Sequence, residues 1–167
     1  MATRKRPRRA SSRKRSRPTK SAKGGSAAAR TVDRRKQKPE TLRLRSVQPS
    51  LTVNDIERSI RFYTDALGFI VGARYPSEGG ALRGASLKAG MCEIGLTQDD
   101  WAKGRDRKKG EGLRIWCKTT QDIDSLAARI KASGGRLTEE PHDQPRGGRS
   151  LGVDDPDGFH LTIFRQG

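Results

Sequence analysis

Leu51-Thr52-Val53-Asn54-Asp55-Ile56-Glu57-Arg58-Ser59-Ile60-Arg61-Phe62-Tyr63-Thr64-Asp65-Ala66-Leu67-Gly68-Phe69 is the stretch whose reading decides the fold. Leu51 to Val53 ends an apolar segment. Asn54 suits a helix N-cap with Glu57 three residues on, and Ile56, Ile60, Tyr63 and Leu67 follow at helical spacing before Gly68. The local order is strand, helix, stop.

The same order returns 67 residues later. That shift carries Asp55-Ile56-Glu57 onto Asp122-Ile123-Asp124, Gly68 onto Gly135 and Ile70 onto Leu137. Leu113 to Cys117 is again a short apolar run. Ile123, Leu126, Ala127 and Ile130 form a helical stripe that stops at Gly134-Gly135, a good C-terminal signal.

Short strand candidates follow each helix: Phe69 to Tyr75, Ala81 to Leu87 and Met91 to Thr97, then Arg136 to Thr138, Arg149 to Val153 and Phe159 to Phe164. Glu78-Gly79-Gly80, Lys88-Ala89-Gly90, Arg146-Gly147-Gly148 and Asp155-Pro156-Asp157-Gly158 supply the Gly, Pro and Asp that tight turns need. Each half therefore predicts a βαβββ module, about 42–97 and about 112–166, with the polar stretch from Gln98 to Gly112 as connector. The fold class expected for residues 42–167 is α+β, two such modules forming an open cavity.

Residues 1–41 read differently. From Met1 to Glu40 there are 16 Lys/Arg against Asp33 and Glu40, a local net of +14, which leaves +3 of the chain's +17 for the other 127 residues. The stretch has no Leu, Ile, Val, Phe or Trp before Val32, too little apolar surface to offset its ordering entropy, so a disordered basic tail is expected. Arg4, Lys5, Arg6, Arg8 and Arg9 make one cationic cluster, and Arg13, Lys14, Arg15 and Arg17 a second. They suit phosphate contact and counterion release, and no interleaved aromatics offer base stacking, so any nucleic-acid binding expected is salt-sensitive and indifferent to sequence. A merely solubilising tail is the equal alternative.

No run reaches the roughly 18 apolar residues of a membrane span, and no apolar signal core follows the basic start, so no membrane association and a cytoplasmic location are expected. Cys92 and Cys117 form neither a CxxC unit nor a dense framework, which reads as buried reduced thiols.

Val53-Asn54-Asp55, Ser59, Phe62-Tyr63 and Leu67-Gly68-Phe69 resemble the "V-x-D…S…FY…LGF" signature of the vicinal oxygen chelate superfamily of glyoxalases, bleomycin-resistance proteins and extradiol dioxygenases. Asp143, Pro145, Gly147 or Gly148, Arg149, Asp155-Pro156-Asp157-Gly158 and Leu161 resemble the "DxP-x-G-x-R…DPDG-x-x-L" ending of the same superfamily. The resemblance covers about 120 residues and implies two βαβββ modules, a ligand cavity and pairing as a homodimer. The motif residues themselves read as packing and turn residues that identify the fold and carry no chemistry.

Metal-using members hold a divalent ion with one side chain from the first and one from the last strand of each module. The first position, seven residues before the Asp of V-x-D, is Gln48; the last, five residues after Asp157, is Thr162. Moving each by the repeat length gives Gly95 and Ile115. Gln48, Gly95, Ile115 and Thr162 are poor ligands for zinc, iron, nickel or manganese, which take His nitrogen or carboxylate oxygen, so no cofactor is expected.

Two residues away along the strands, Glu93 shares a face with Gly95 and His160 with Thr162, a candidate general base and acid pair. Trp101, in the connector, and Trp116, on a strand and more often a core position, could each offer a flat face to a ligand. His142 reads as a surface residue of a Pro-containing loop.

Three functions remain open on the residues. The first is a metal-independent small-ligand binder of glyoxalase or bleomycin-resistance type, its site including Gln48, Trp101, Trp116 and Thr162. The second is an enzyme, a lyase, isomerase or dioxygenase of glyoxalase type with a shifted site and, only then, a divalent metal. The third is a nucleic-acid-associated protein acting through its tail.

Overall fold

Two carboxylates at equivalent places start the two helices. Asp55 Oδ1 accepts the Arg58 N–H at 3.0 Å and Asp122 Oδ1 the Ser125 N–H at 2.9 Å, each satisfying a donor that a helix's first turn leaves free. Asn54 is not the cap; its own N–H donates to Asp157 Oδ1 at 2.9 Å. The computed structural model describes Leu42 and residues 44–167, so both basic clusters between Arg4 and Arg17 lie outside the described residues.

In the first half, β1 (Ser50–Val53), α1 (Ile56–Arg61), β2 (Ile70–Pro76), β3 (Leu82–Ala89) and β4 (Cys92–Gln98) follow one another. In the second, β5 (Arg114–Lys118), α2 (Ile123–Ala132), β6 (Leu137–Asp143), β7 (Arg149–Asp154) and β8 (His160–Arg165) do the same. The sheets have strand orders β1-β4-β3-β2 and β5-β8-β7-β6, the same topology twice. β1 runs parallel to β4 and β5 to β8, as a helical crossover requires, and the other neighbours are antiparallel. This is the expected α+β arrangement of two βαβββ modules.

Three local departures have physical causes. The apolar stripe from Ile56 to Leu67 is α-helical only to Arg61 and continues as a π-helical turn over Phe62–Ala66, which still turns Tyr63 and Ala66 into the core. β6 runs to Asp143 rather than ending near Thr138, so Pro141 and His142 sit on a strand; it is an edge strand with irregular register, where a missing N–H is tolerated. Cys92 is exposed rather than buried, and Cys117 is half-buried with its thiol pushed up to about 11 by burial; neither is bonded.

Period-two alternation decides which face each strand buries. Leu51, Val53, Leu87, Ile94 and Leu96 of the first sheet and Leu151, Val153, Leu161 and Ile163 of the second join Ile56, Ile60, Tyr63, Ile123, Leu126 and Ile130 in one core. Both helix-covered sheet faces thus turn toward a shared interior. The opposite faces turn away from that core; Ser86, Ser150 and Thr162 at their centres are buried among their strand neighbours, while Trp116 at the β5 edge is exposed.

Polar contacts lock the halves across that interior. Tyr63 Oη donates to Asp155 Oδ2 at 3.2 Å and Ser59 Oγ to Asp157 Oδ2 at 3.3 Å, while Asp155 Oδ1 accepts the N–H groups of Asp157 and Phe159, both at 2.9 Å. The two motif blocks, about a hundred residues apart in the chain, are therefore opposite sides of one clasp. From α2, Arg129 donates to the carbonyls of Ala66 and Leu67 at 3.1 and 2.8 Å. Gly68, at φ +76°, lies so close under that guanidinium that a Cβ would stand 3.0 Å from it, which accounts for glycine in Leu67-Gly68-Phe69.

Candidate functional site

The outward face of the second sheet gathers the chemistry. Ile115 and Cys117 pack against the core, so Arg114, Trp116 and Lys118 project from the other side of β5. Across the parallel pairing they stand beside His160, Thr162 and Phe164 of β8, giving a grid of two columns and three rows. Trp116 is 61% exposed, unlike a core strand residue, and meets Phe164 edge to face with ring centroids 5.8 Å apart.

His160 is fixed from two sides. Its Nδ1 lies 2.6 Å from Asp154 Oδ1, and an ionised carboxylate can only accept, so the proton of that bond sits on Nδ1. Nε2 then faces the Thr162 hydroxyl at 3.5 Å, and in the neutral imidazole it is the acceptor of the ring. An Asp-oriented imidazole of this kind can take a proton from a group placed over Thr162. A second cluster lies further across the face, where Ser150 Oγ meets His142 Nε2 at 3.3 Å and Gln144.

The register corrects one position read from the repeat. Ser50 pairs with Gly95 and Trp116 with Thr162, so the first strands are related by 66 residues, although Gly95 and Thr162 are 67 apart. The extra residue lies between β5 and α2, in Thr119-Thr120-Gln121. The counterpart of Gln48 is therefore Arg114, and Ile115 faces the core. Gln48 is exposed and precedes β1, whose continued register sets it beside Glu93.

Glu93 lies on the outward face of the first sheet, next to Lys88 across the strands, while the bonds of His160 go to Asp154 and Thr162. The two belong to different sheets. The centre of that first face is built of small residues, among them Ser50, Gly95, Ser86 and Thr97, with the exposed Tyr75 lying over Gly84 toward its β2 edge. The site residues not foreseen, Asp154, Arg114, Lys118 and Phe164, had a signal in the period of two; finding Arg114 also needed the one-residue insertion.

Trp101 is placed elsewhere. Its N–H donates to Asp99 Oδ1 at 3.0 Å, its backbone takes φ +62°, and its ring lies 4.9 Å from the Arg105 guanidinium and 5.3 Å from Lys109 Nζ. Lys109 is buried, and its ammonium approaches Asp99 Oδ2 to 2.6 Å, an ion pair off the direction of a well-aligned hydrogen bond, with no other polar partner. Lys109, the Trp101 N–H and Arg107 together hold the Asp99 carboxyl down to about 2. Gly110, at φ +76°, then passes so near the Gly158 carbonyl that no side chain would fit. Lys109 and Gly110 thus pass beside Gly158 just before β8, with the Trp101 ring next to the Lys109 ammonium.

A divalent metal at the four superfamily positions would meet one neutral amide from Gln48, no side chain from Gly95, a cation from Arg114 and one hydroxyl from Thr162. That set does not fit a first-row metal, whose ligands must be deprotonated oxygen, nitrogen or sulfur donors. Among the described residues no three His, Cys, Asp or Glu come together as a metal cluster. Nor is any described helix long and apolar enough to cross a membrane.

The family model for the Glyoxalase/Bleomycin resistance protein/Dioxygenase superfamily matches residues 44–163. Over 120 residues the chain is 29% identical to "Lactoylglutathione lyase GLX1" of Arabidopsis thaliana, spanning 69% of this chain but only 42% of the plant protein's length. It is 29% identical over 121 residues to "Probable lactoylglutathione lyase" of Synechocystis sp., spanning 69% of this chain and 90% of that one. Among solved structures, TnmS3, an antibiotic binding protein from Streptomyces sp. CB03234, superposes with a TM-score of 0.59 at 25% identity, covering 76% of this chain and 100% of its own. With the family model matching well over half of its length, this chain belongs to the glyoxalase, bleomycin-resistance and dioxygenase superfamily.

Proposed function

We propose that this protein binds a small organic ligand on the outward faces of its sheets, without a metal. The observation that carries the reading is the occupancy of the superfamily's metal positions: Gln48, Gly95, Arg114 and Thr162 supply one cation and no anion. An exposed Trp116 braced by Phe164 is what a binding face for a flat ligand would carry. The antibiotic-binding relative supports the same reading.

Both binding faces look away from the shared core, so within one chain neither covers the other. A second copy laid against the first closes the cleft, and a homodimer is part of the proposal. Metal analysis of the purified chain, grown with nickel, zinc, iron and manganese, tests the central statement. Substoichiometric metal is expected; one tightly held ion per chain would overturn it.

The Asp154–His160–Thr162 arrangement favours a second reading, a metal-free lyase or isomerase with His160 moving a proton and Gln48 or Glu93 contributing from the other face. Lactoylglutathione turnover separates the two: activity lost in His160→Gln would establish the enzyme, and none in the wild type would leave the binder.

A further inference from the structure

The charges on the second sheet's outward face are segregated, with the cations on β5 and the acids on β6 and β7. Along β5, Arg114, Trp116 and Lys118 are two residues apart, so successive side chains emerge about 7 Å apart on one face. Lys118 Nζ donates to Gln166 Oε1 at 2.5 Å, a neutral partner that leaves its charge in place and holds it at the far end of the row. Arg114 is exposed and, like most described arginines, has no carboxylate partner among the described residues; what sets it apart is its place in the row beside Trp116. The acids of this face lie elsewhere: Asp154 is held by His160, and Glu139 sits across the sheet over Gly152.

A guanidinium offers a planar pair of donors that matches a carboxylate in two parallel hydrogen bonds. One side-chain step away lies the indole of Trp116, held at a fixed tilt by Phe164, with the Thr162 hydroxyl and the acceptor Nε2 of His160 in the next column. The first sheet offers no such set, since Gln48 stands where the second has Arg114 and Ser50 where it has Trp116.

We infer that the grid on β5 and β8 is a site for a planar aromatic or conjugated monocarboxylate. Its carboxylate sits on Arg114, its ring lies against Trp116, and a ring hydroxyl or amine reaches His160 and Thr162. The inference rests on the proposal that this face binds a ligand, and names the ligand's chemical class.

Calorimetry of the full chain with 2-naphthoate, 2-naphthamide and 2-naphthylmethylammonium tests it. The carboxylate should bind at least tenfold more tightly than either analogue, and Arg114→Gln should reduce that preference to within twofold without moving the melting temperature. The chain's net +17 attracts any anion, but Arg114→Gln removes only one charge of that excess, so a preference that survives it would overturn the assignment. Silence from naphthoate, or equal binding of the amide or the ammonium, would also overturn it. In a wider thermal-shift panel, binding of neutral or cationic compounds that Trp116→Ser abolishes would leave the ligand-binding proposal standing without this inference. No shift with any compound would sink both.

Discussion

The two modules agree on their inner faces and disagree on their outer ones. Asp55 and Asp122 cap helices in the same way, Ile56 and Ile123 are both buried, and Ile94 and Leu96 recur as Leu161 and Ile163. Outside, Ser50 faces Gly95 where Trp116 faces Thr162. The inner residues must interlock at interior density, so a repeated backbone demands a repeated side-chain pattern there. No such demand acts on a face that meets solvent or a ligand, and that is where the halves have diverged.

Two inner positions break the agreement, Ser59 against Leu126 and Tyr63 against Ile130, and the clasp that uses both gives the largest expected effect. Tyr63 and Ile130 are 67 apart and both fully buried, yet only Tyr63 carries a hydroxyl, which Asp155 accepts; burial and this anionic neighbour push the phenol far above its ordinary range. Asp155→Ala would leave the N–H groups of Asp157 and Phe159 and the Tyr63 hydroxyl without their partner, at a cost of roughly 3–5 kcal/mol in urea unfolding. Tyr63→Phe, which brings the first module closer to the second, removes one bond of that set and should cost about 1–2 kcal/mol. If both variants lost the same amount, the clasp would be acting through the Tyr63 hydroxyl alone.

The connector belongs to neither module, and its anchor titrates. With the Asp99 carboxyl held at about 2 in the folded chain and near its ordinary value when unfolded, its contribution is present above about pH 4. That contribution is lost as pH falls from 4 toward 2. Asp99→Asn should therefore be less stable than the wild type at pH 7, by a margin that shrinks below pH 4 in parallel urea titrations. A margin independent of pH would mean that Lys109 is held by packing against Trp101 rather than by charge.

How much of this could be read beforehand follows the same division. The βαβββ order and the inner stripe are periodic, because burial repeats at the period of each element, and they were legible. The clasp was half legible: the motifs were identifiable as fold markers, but nothing in one strand of letters says that Asp157 bonds to Ser59 and Asn54. Arg114 was misplaced by one residue because a repeat measured on the helices need not hold on the strands; the longer turn from Lys118 to Asp122 moves every residue of β5 to the other face. In the sequence Trp101 and Trp116 are two isolated indoles, although in the fold one lies beside a buried ammonium and the other stands in solvent.

The smallest stability effect is expected where the functional effect is largest. Trp116→Ser imports the first module's residue into the second module's grid. Trp116 is 61% exposed and its main neighbour is Phe164, so the loss should stay below about 1 kcal/mol, in the range of surface substitutions. Binding should fall much further, because the indole supplies the apolar face against which a ligand rests. A chain carrying Trp116→Ser that unfolds at the same urea concentration but no longer binds would show that the outer face is free of structural duty. A loss of several kcal/mol would instead make Trp116 part of the fold, and the divergence of the two outer faces would then need a structural cause.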